Sequence, residues 1–166
     1  MHGTAMKLTM TLEGGKKVEV ALNRVNIFTH DAVKVQTNTS AFNIDREAKK
    51  RCPVDHGRLR SAIRPTFFQD GMAAEIGPID VDYAASVEFG TGPHEPPFGA
   101  ILRWAKRRCK GDEDKAYAMA VGVVNAIKKN GTQPHPFLFP AWEEERPDYV
   151  RGIDEATKGA ISRAAM

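Results

Sequence analysis

The chain has 166 residues, 42% hydrophobic and 27% charged, the balance of a globular protein, and a single domain over 1–166 is expected. A core of that size can remove roughly 70% of the unfolded surface from water, so disordered, collagen-like and disulfide-scaffold classes are excluded. Lys and Arg exceed Asp and Glu by 24 to 21, and a net charge of +3 is too small for a charge-dominated nucleic-acid binder. The two cysteines, Cys52 and Cys109, have no metal-ligand spacing and read as free thiols of a reducing compartment. The opening residues MHGTAMKL lack the charged and apolar regions of an export signal, and the longest apolar run, 116–124, is half a membrane span. No membrane association is expected.

Met6, Leu8, Met10 and Leu12 alternate with polar residues, Glu13-Gly14-Gly15 reads as a turn, and Val18, Val20 and Leu22 resume the alternation. That pattern predicts a first β-hairpin. From 23 to 51 the apolar spacing is helical, and the DREAKKR run supports one long helix. Its weakest part is 36–40, where β-branched Val33, Val35, Thr37 and Thr39 alternate. A short helical turn over 58–63 and strands at 64–69 and 72–76 follow, the strands joined at Asp70-Gly71. A second short turn covers 83–88. Pro96 and Pro97 open a helix to about Cys109, with Phe98, Ile101, Leu102, Ala105 and Cys109 as its apolar stripe. Asp112 or Glu113 can cap the next helix, whose face is Ala116, Ala120, Val123 and Ile127 and whose end carries Lys128, Lys129 and Gly131. A final helix is expected at about 138–165, kinked or restarted at Pro147. The expected class is α+β: a small antiparallel sheet of about four strands in two hairpins, packed on a long helix, with further helices in the C-terminal half.

Catalytic signatures are missing. Gly14-Gly15-Lys16-Lys17 lacks the first glycine and the Ser or Thr of a phosphate loop, and no GxSxG is present. Cys52 and His56 are four apart, but Pro53 and Gly57 interrupt any helix that would align them as metal ligands. No metal, cofactor or catalytic residue is expected, and the protein reads as a non-enzyme. Trp104 and Trp142 lie in apolar stripes, as core or interface anchors, and Phe137 and Leu138 read as core.

Charge is informative by region. Residues 1–60 carry a balance of +5, 61–100 of −5, 101–130 of +5 and 131–166 of −2. Blocks of opposite sign suit a contact between copies or steering toward a charged partner, unless they mix on the folded surface. Arg103, Lys106, Arg107, Arg108 and Lys110 are the candidate DNA-facing residues of an alternative reading, a small basic nucleic-acid-binding protein of phage or prophage origin.

Three segments stand in order: AKKRCPVDHGRLRSAI (48–63), DYAASVEFGTG (82–92) and PHPFLFPAW (134–142). Together they resemble the neck and tail-completion proteins of long-tailed double-stranded-DNA bacteriophages, in which a PVDTG loop, a YVEFGT segment and a PFL-PA helix start recur. The resemblance covers about 45–145, and His56 stands where the family usually has Thr. It implies a structural virion protein at the head–tail junction, assembled in the bacterial host cytoplasm as a ring, commonly a hexamer, around the DNA channel. The implied partners are further copies of itself, a head-side connector or adaptor, and a tail-terminator or tail-tube protein, with double-stranded DNA passing nearby. Arg58, Arg60, Tyr83, Glu88, Phe89 and Thr91 are the candidate interface residues, with Glu88 expected to meet Arg58 or Arg60 within or between subunits.

Overall fold

The computed structural model describes residues 15–164. Its elements are α1 (Gly15–Arg51), α2 (Arg58–Ala62), β1 (Ile63–Phe68), β2 (Ala73–Pro78), α3 (Ala84–Phe89), α4 (Phe98–Arg108), α5 (Glu113–Asn130) and α6 (Leu138–Ala164). Helix accounts for 71% of it and the sheet has two strands, so the expectation of about four strands in two hairpins is corrected.

The first hairpin is the source of the error. Val18, Val20 and Leu22 lie in α1, more than half exposed, while Met6–Leu12 fall outside the described residues. Three apolar residues two apart satisfy a strand, but Val18, Leu22 and Val25 also satisfy the i, i+4, i+7 rule of a helix. The helix wins because it propagates from the strong helix former that follows, one hydrogen bond for each residue fixed.

α1 runs unbroken through 36–40. At 37 residues it is about 55 Å long by the rise per residue. Thr39 donates to the Val35 carbonyl at 2.9 Å and Gln36 to the Ser40 hydroxyl at 3.2 Å within the helix, while Thr37 reaches out to the Met72 carbonyl at 3.5 Å. Its small residues serve packing. Thr37, Ser40 and Ala41 are buried, and Gly152 of α6 sits so close to Gln36 that a Cβ there would collide with it. α6 packs antiparallel along α1, with Arg51 paired to Glu144, Asn43 bonded to Glu145 and Arg163 over the Phe28 ring. It continues across Pro147 without interruption.

β1 and β2 pair antiparallel from Ile63↔Pro78 to Phe68↔Ala73. The connection therefore has four residues rather than the two expected, and Gln69, Asp70 and Gly71 all take positive φ. The Lys34 ammonium meets the Asp70 carboxylate at 3.0 Å, tying the turn to α1 and holding that carboxyl below its usual range.

Two clusters are buried. The main one joins Ile44, Ala48, Cys52, Leu59, Ile63, Phe137 and Ala141, from α1, α2, β1 and α6. The second joins Ala105, Ala116 and Ala120 between α4 and α5. α5 buries Val124 rather than Val123, and Asp112 caps it by accepting from the Lys115 amide at 3.1 Å. Cys52 is 5% exposed and burial raises its thiol pKa, whereas Cys109 is only partly covered. A thiol reagent added to the native protein at mildly alkaline pH is expected to label Cys109 quickly and Cys52 only as the fold opens. Mass spectrometry of timed samples checks this, and equal rates would contradict it.

Candidate functional site

The fold draws segments 48–63, 82–92 and 134–142 together around one core beside the start of α6. A helix leaves its first amide N–H groups without partners, and here one remote side chain takes them. Glu88 Oε2 accepts from the amides of Phe137 at 2.8 Å and Leu138 at 3.0 Å, and Oε1 accepts from Phe139 at 2.8 Å. The next residue is Pro140, which has no N–H to satisfy. One carboxylate therefore serves every amide donor of that turn, where the helix dipole also favours negative charge.

Neighbouring backbone secures this arrangement. His135 N–H donates to the Val87 carbonyl at 2.8 Å, and Thr91 and Thr132 exchange backbone hydrogen bonds at 3.1 Å in each direction. Their hydroxyls meet at 2.9 Å. The approach requires glycine at two places. Gly90 has φ 71° and ψ −173°, a region essentially closed to other residues, and a Cβ there would lie 2.5 Å from the Thr132 carbonyl oxygen. Gly131, at φ 73° and ψ −160°, faces the Thr91 carbonyl still more closely.

Within the chain Glu88 meets neither Arg58 nor Arg60. Glu88 is 7% exposed and both its oxygens point at α6. Arg58 instead donates to the Asp80 carbonyl at 3.3 Å. Arg60 lies beside Asp45 and Lys49 around a different depression. Thr91 is half-buried in the backbone bridge, a structural position. Tyr83 is 41% and Phe89 75% exposed, so these two interface candidates are presented to the outside.

α3 separates two concavities. On one side, Ala84, Ala85 and Phe89 border an apolar groove of about 400 Å³ with Ile76, Phe139 and Trp142. Phe139 is 60% exposed. On the other side, Tyr83 and Val87 border a cleft of about 530 Å³ with His56, Arg58, Arg103, Trp104, Arg107 and Arg108. The DNA-facing candidates are thus divided. Lys106 pairs with Glu113 at 2.5 Å and Arg107 pairs with Asp55. Arg108 stacks on Trp104 at 4.9 Å, and Arg103 has no carboxylate within 4 Å among the described residues. Lys110 is exposed beyond the end of α4. Among the described residues no group of three His, Cys, Asp or Glu is placed to hold a metal ion, and no helix is long and apolar enough to cross a membrane. The Thr91–Thr132 bridge and Phe139 were not singled out from the sequence. The one signal for the bridge was glycine on both sides of it, at Gly90 and Gly131.

Glu88→Ala strands three amides and is expected to cost about 3 kcal/mol or more in urea denaturation, against about 1–2 for Glu88→Gln, whose NH₂ can face only one of them badly. Gly131→Ala is expected to cost more than Gly111→Ala. Both positions have positive φ, but only Gly131 faces a backbone oxygen while Gly111 faces open space. Equal losses at the two glycines would contradict the close approach.

Comparison of the chain with protein-family models, with curated proteins and with solved structures finds no match.

Proposed function

We propose that the protein is a non-enzymatic structural subunit of a tailed-bacteriophage virion, joining head to tail as a ring around the DNA channel. The observation that carries this reading is where the three family-like segments go. All three contribute to one core, and the second and third also share the capped helix start and border an apolar groove rimmed by exposed Phe89 and Phe139. These rings do little for the fold of a lone chain. Exposed aromatic surface beside an apolar groove marks an interaction site, and a ring subunit needs such a surface on each copy.

The division of α4 also bears on the reading. Pairing of Lys106 with Glu113 and of Arg107 with Asp55 removes two cations from the ridge that a DNA-binding role would use. Duplex DNA is then something the assembly surrounds rather than something one subunit grips. Its neighbours would be a head-side connector or adaptor and a tail-terminator or tail-tube protein, and it would work in the virion after assembly in the host cytoplasm.

Purified protein, alone or with purified tails, is expected to form rings by electron microscopy in a concentration-dependent way. Phage lacking it should accumulate filled heads and separate tails. Phe89→Ser should weaken ring formation while changing unfolding free energy by no more than about 0.5 kcal/mol, as for other surface substitutions. A chain that stays monomeric with heads and tails present would overturn the proposal.

A further inference from the structure

The arginine cleft holds more positive charge than the fold uses. Its one lining carboxylate, Asp55, is taken by Arg107. Arg58, Arg103 and Arg108 line the same cleft with no carboxylate within 4 Å among the described residues. Three guanidinium groups on a concave wall raise the local potential and draw an anionic partner. The floor between them is apolar, from Val54, Val87 and Ala100. Phosphates alone would leave that floor uncovered. A protein segment with an apolar ring beside a carboxylate covers both.

The chain carries such a segment itself. Phe139, Trp142 and Glu143 occupy positions i, i+3 and i+4 of α6 and so share one face of its first turns. All three are exposed. Glu143 is held only loosely, with Arg146 at 3.8 Å. This aromatic and acidic edge borders the groove on the side of α3 that carries Ala84, Ala85 and Phe89, whereas the cleft lies on the side that carries Tyr83 and Val87. The two complementary patches lie on different sides of α3, so a single face does not present both to a partner. Their pairing is head-to-tail, the kind that closes into rings.

We infer that the cleft formed by Arg58, Arg103 and Arg108 receives the Phe139–Trp142–Glu143 edge of a second copy. The inference rests on the ring reading above and names its contact. Guanidinium groups meet the Glu143 carboxylate, and the two aromatic rings cover the apolar floor. Arginine suits this role, since its planar fork binds carboxylates in two-point fashion and stacks on rings.

The test is a charge-reversal cycle on the full chain, read by sedimentation velocity and negative-stain electron microscopy. Arg103→Glu combined with Arg108→Glu, and separately Glu143→Arg, should each raise the concentration needed for assembly at least tenfold, because like charges then face each other. Combining all three changes should recover most of the loss. Far-UV circular dichroism keeps the comparison to folded chains, and all three positions are exposed. Rising salt should weaken wild-type assembly. If wild-type rings form and the reversed variants assemble equally well, this contact is wrong and the ring reading stands. If the reversed variants fail but the triple change recovers nothing, the cleft faces another partner and the inference falls. If no wild-type assembly occurs with tails present, both fall together.

Discussion

Among the described residues Glu88 is the one charged side chain that the fold encloses, and three separate parts of the chain depend on where it points. Its carboxylate is held by α3, accepts three amides of α6, and sits above the core that Cys52, Leu59 and Ile63 build with Phe137. A buried carboxylate is costly unless its lone pairs are filled. Here they are filled by donors that would themselves be stranded, so each side removes the other's penalty. The bridge of Thr91 and Thr132 fixes the geometry from the second direction, and Gly90 and Gly131 allow the two backbones to come close enough.

Only part of this arrangement was legible in the sequence. The long helix over 23–51 was readable because its apolar spacing persists for many turns. Its extension back to Gly15 was not, since three alternating residues fit two periods and the core contact that would arbitrate is missing there. The second hairpin was readable from β-branched and aromatic residues around Asp70-Gly71, although the turn is longer than that dipeptide suggested. Glu88 could be picked out as part of a motif but not given its partners. Those lie 49 to 51 residues further on, and nothing local reveals that a helix start is waiting for it. Pro140 is the nearest thing to a clue, a residue placed where a helix needs no donor.

α3 is a partition as well as a support. Tyr83, just before α3, and Val87 fall on one side of this six-residue helix and Ala84, Ala85 and Glu88 on the other, so one short element borders both concavities. The Glu88 contact therefore sets the distance between groove and cleft. Any surface the protein offers on one side is rigidly referred to the other, which is what a subunit needs if each copy is to place the next at a fixed angle.

The regional charge blocks take on a different meaning once the pairs are known. Cancellation between blocks is partly internal: Lys34 meets Asp70, Lys128 meets Glu95 and Arg51 meets Glu144. Exposed pairs of this kind contribute only about 0–1 kcal/mol each to stability, so they are a poor reason for the fold to exist. Their effect is subtractive. With the pairs of Lys106, Arg107 and Lys115 added, four of the eight cations of 101–130 are engaged, while Arg103 and Arg108 stay without a carboxylate in a cleft with Arg58, a residue from a different block. Of the cations left over, three guanidinium groups gather in one cleft. A net charge near zero and a pattern of alternating blocks are compatible with many surfaces. A cleft that gathers three arginines without carboxylate partners beside apolar side chains is a narrower specification, complemented by a surface that is acidic and partly apolar.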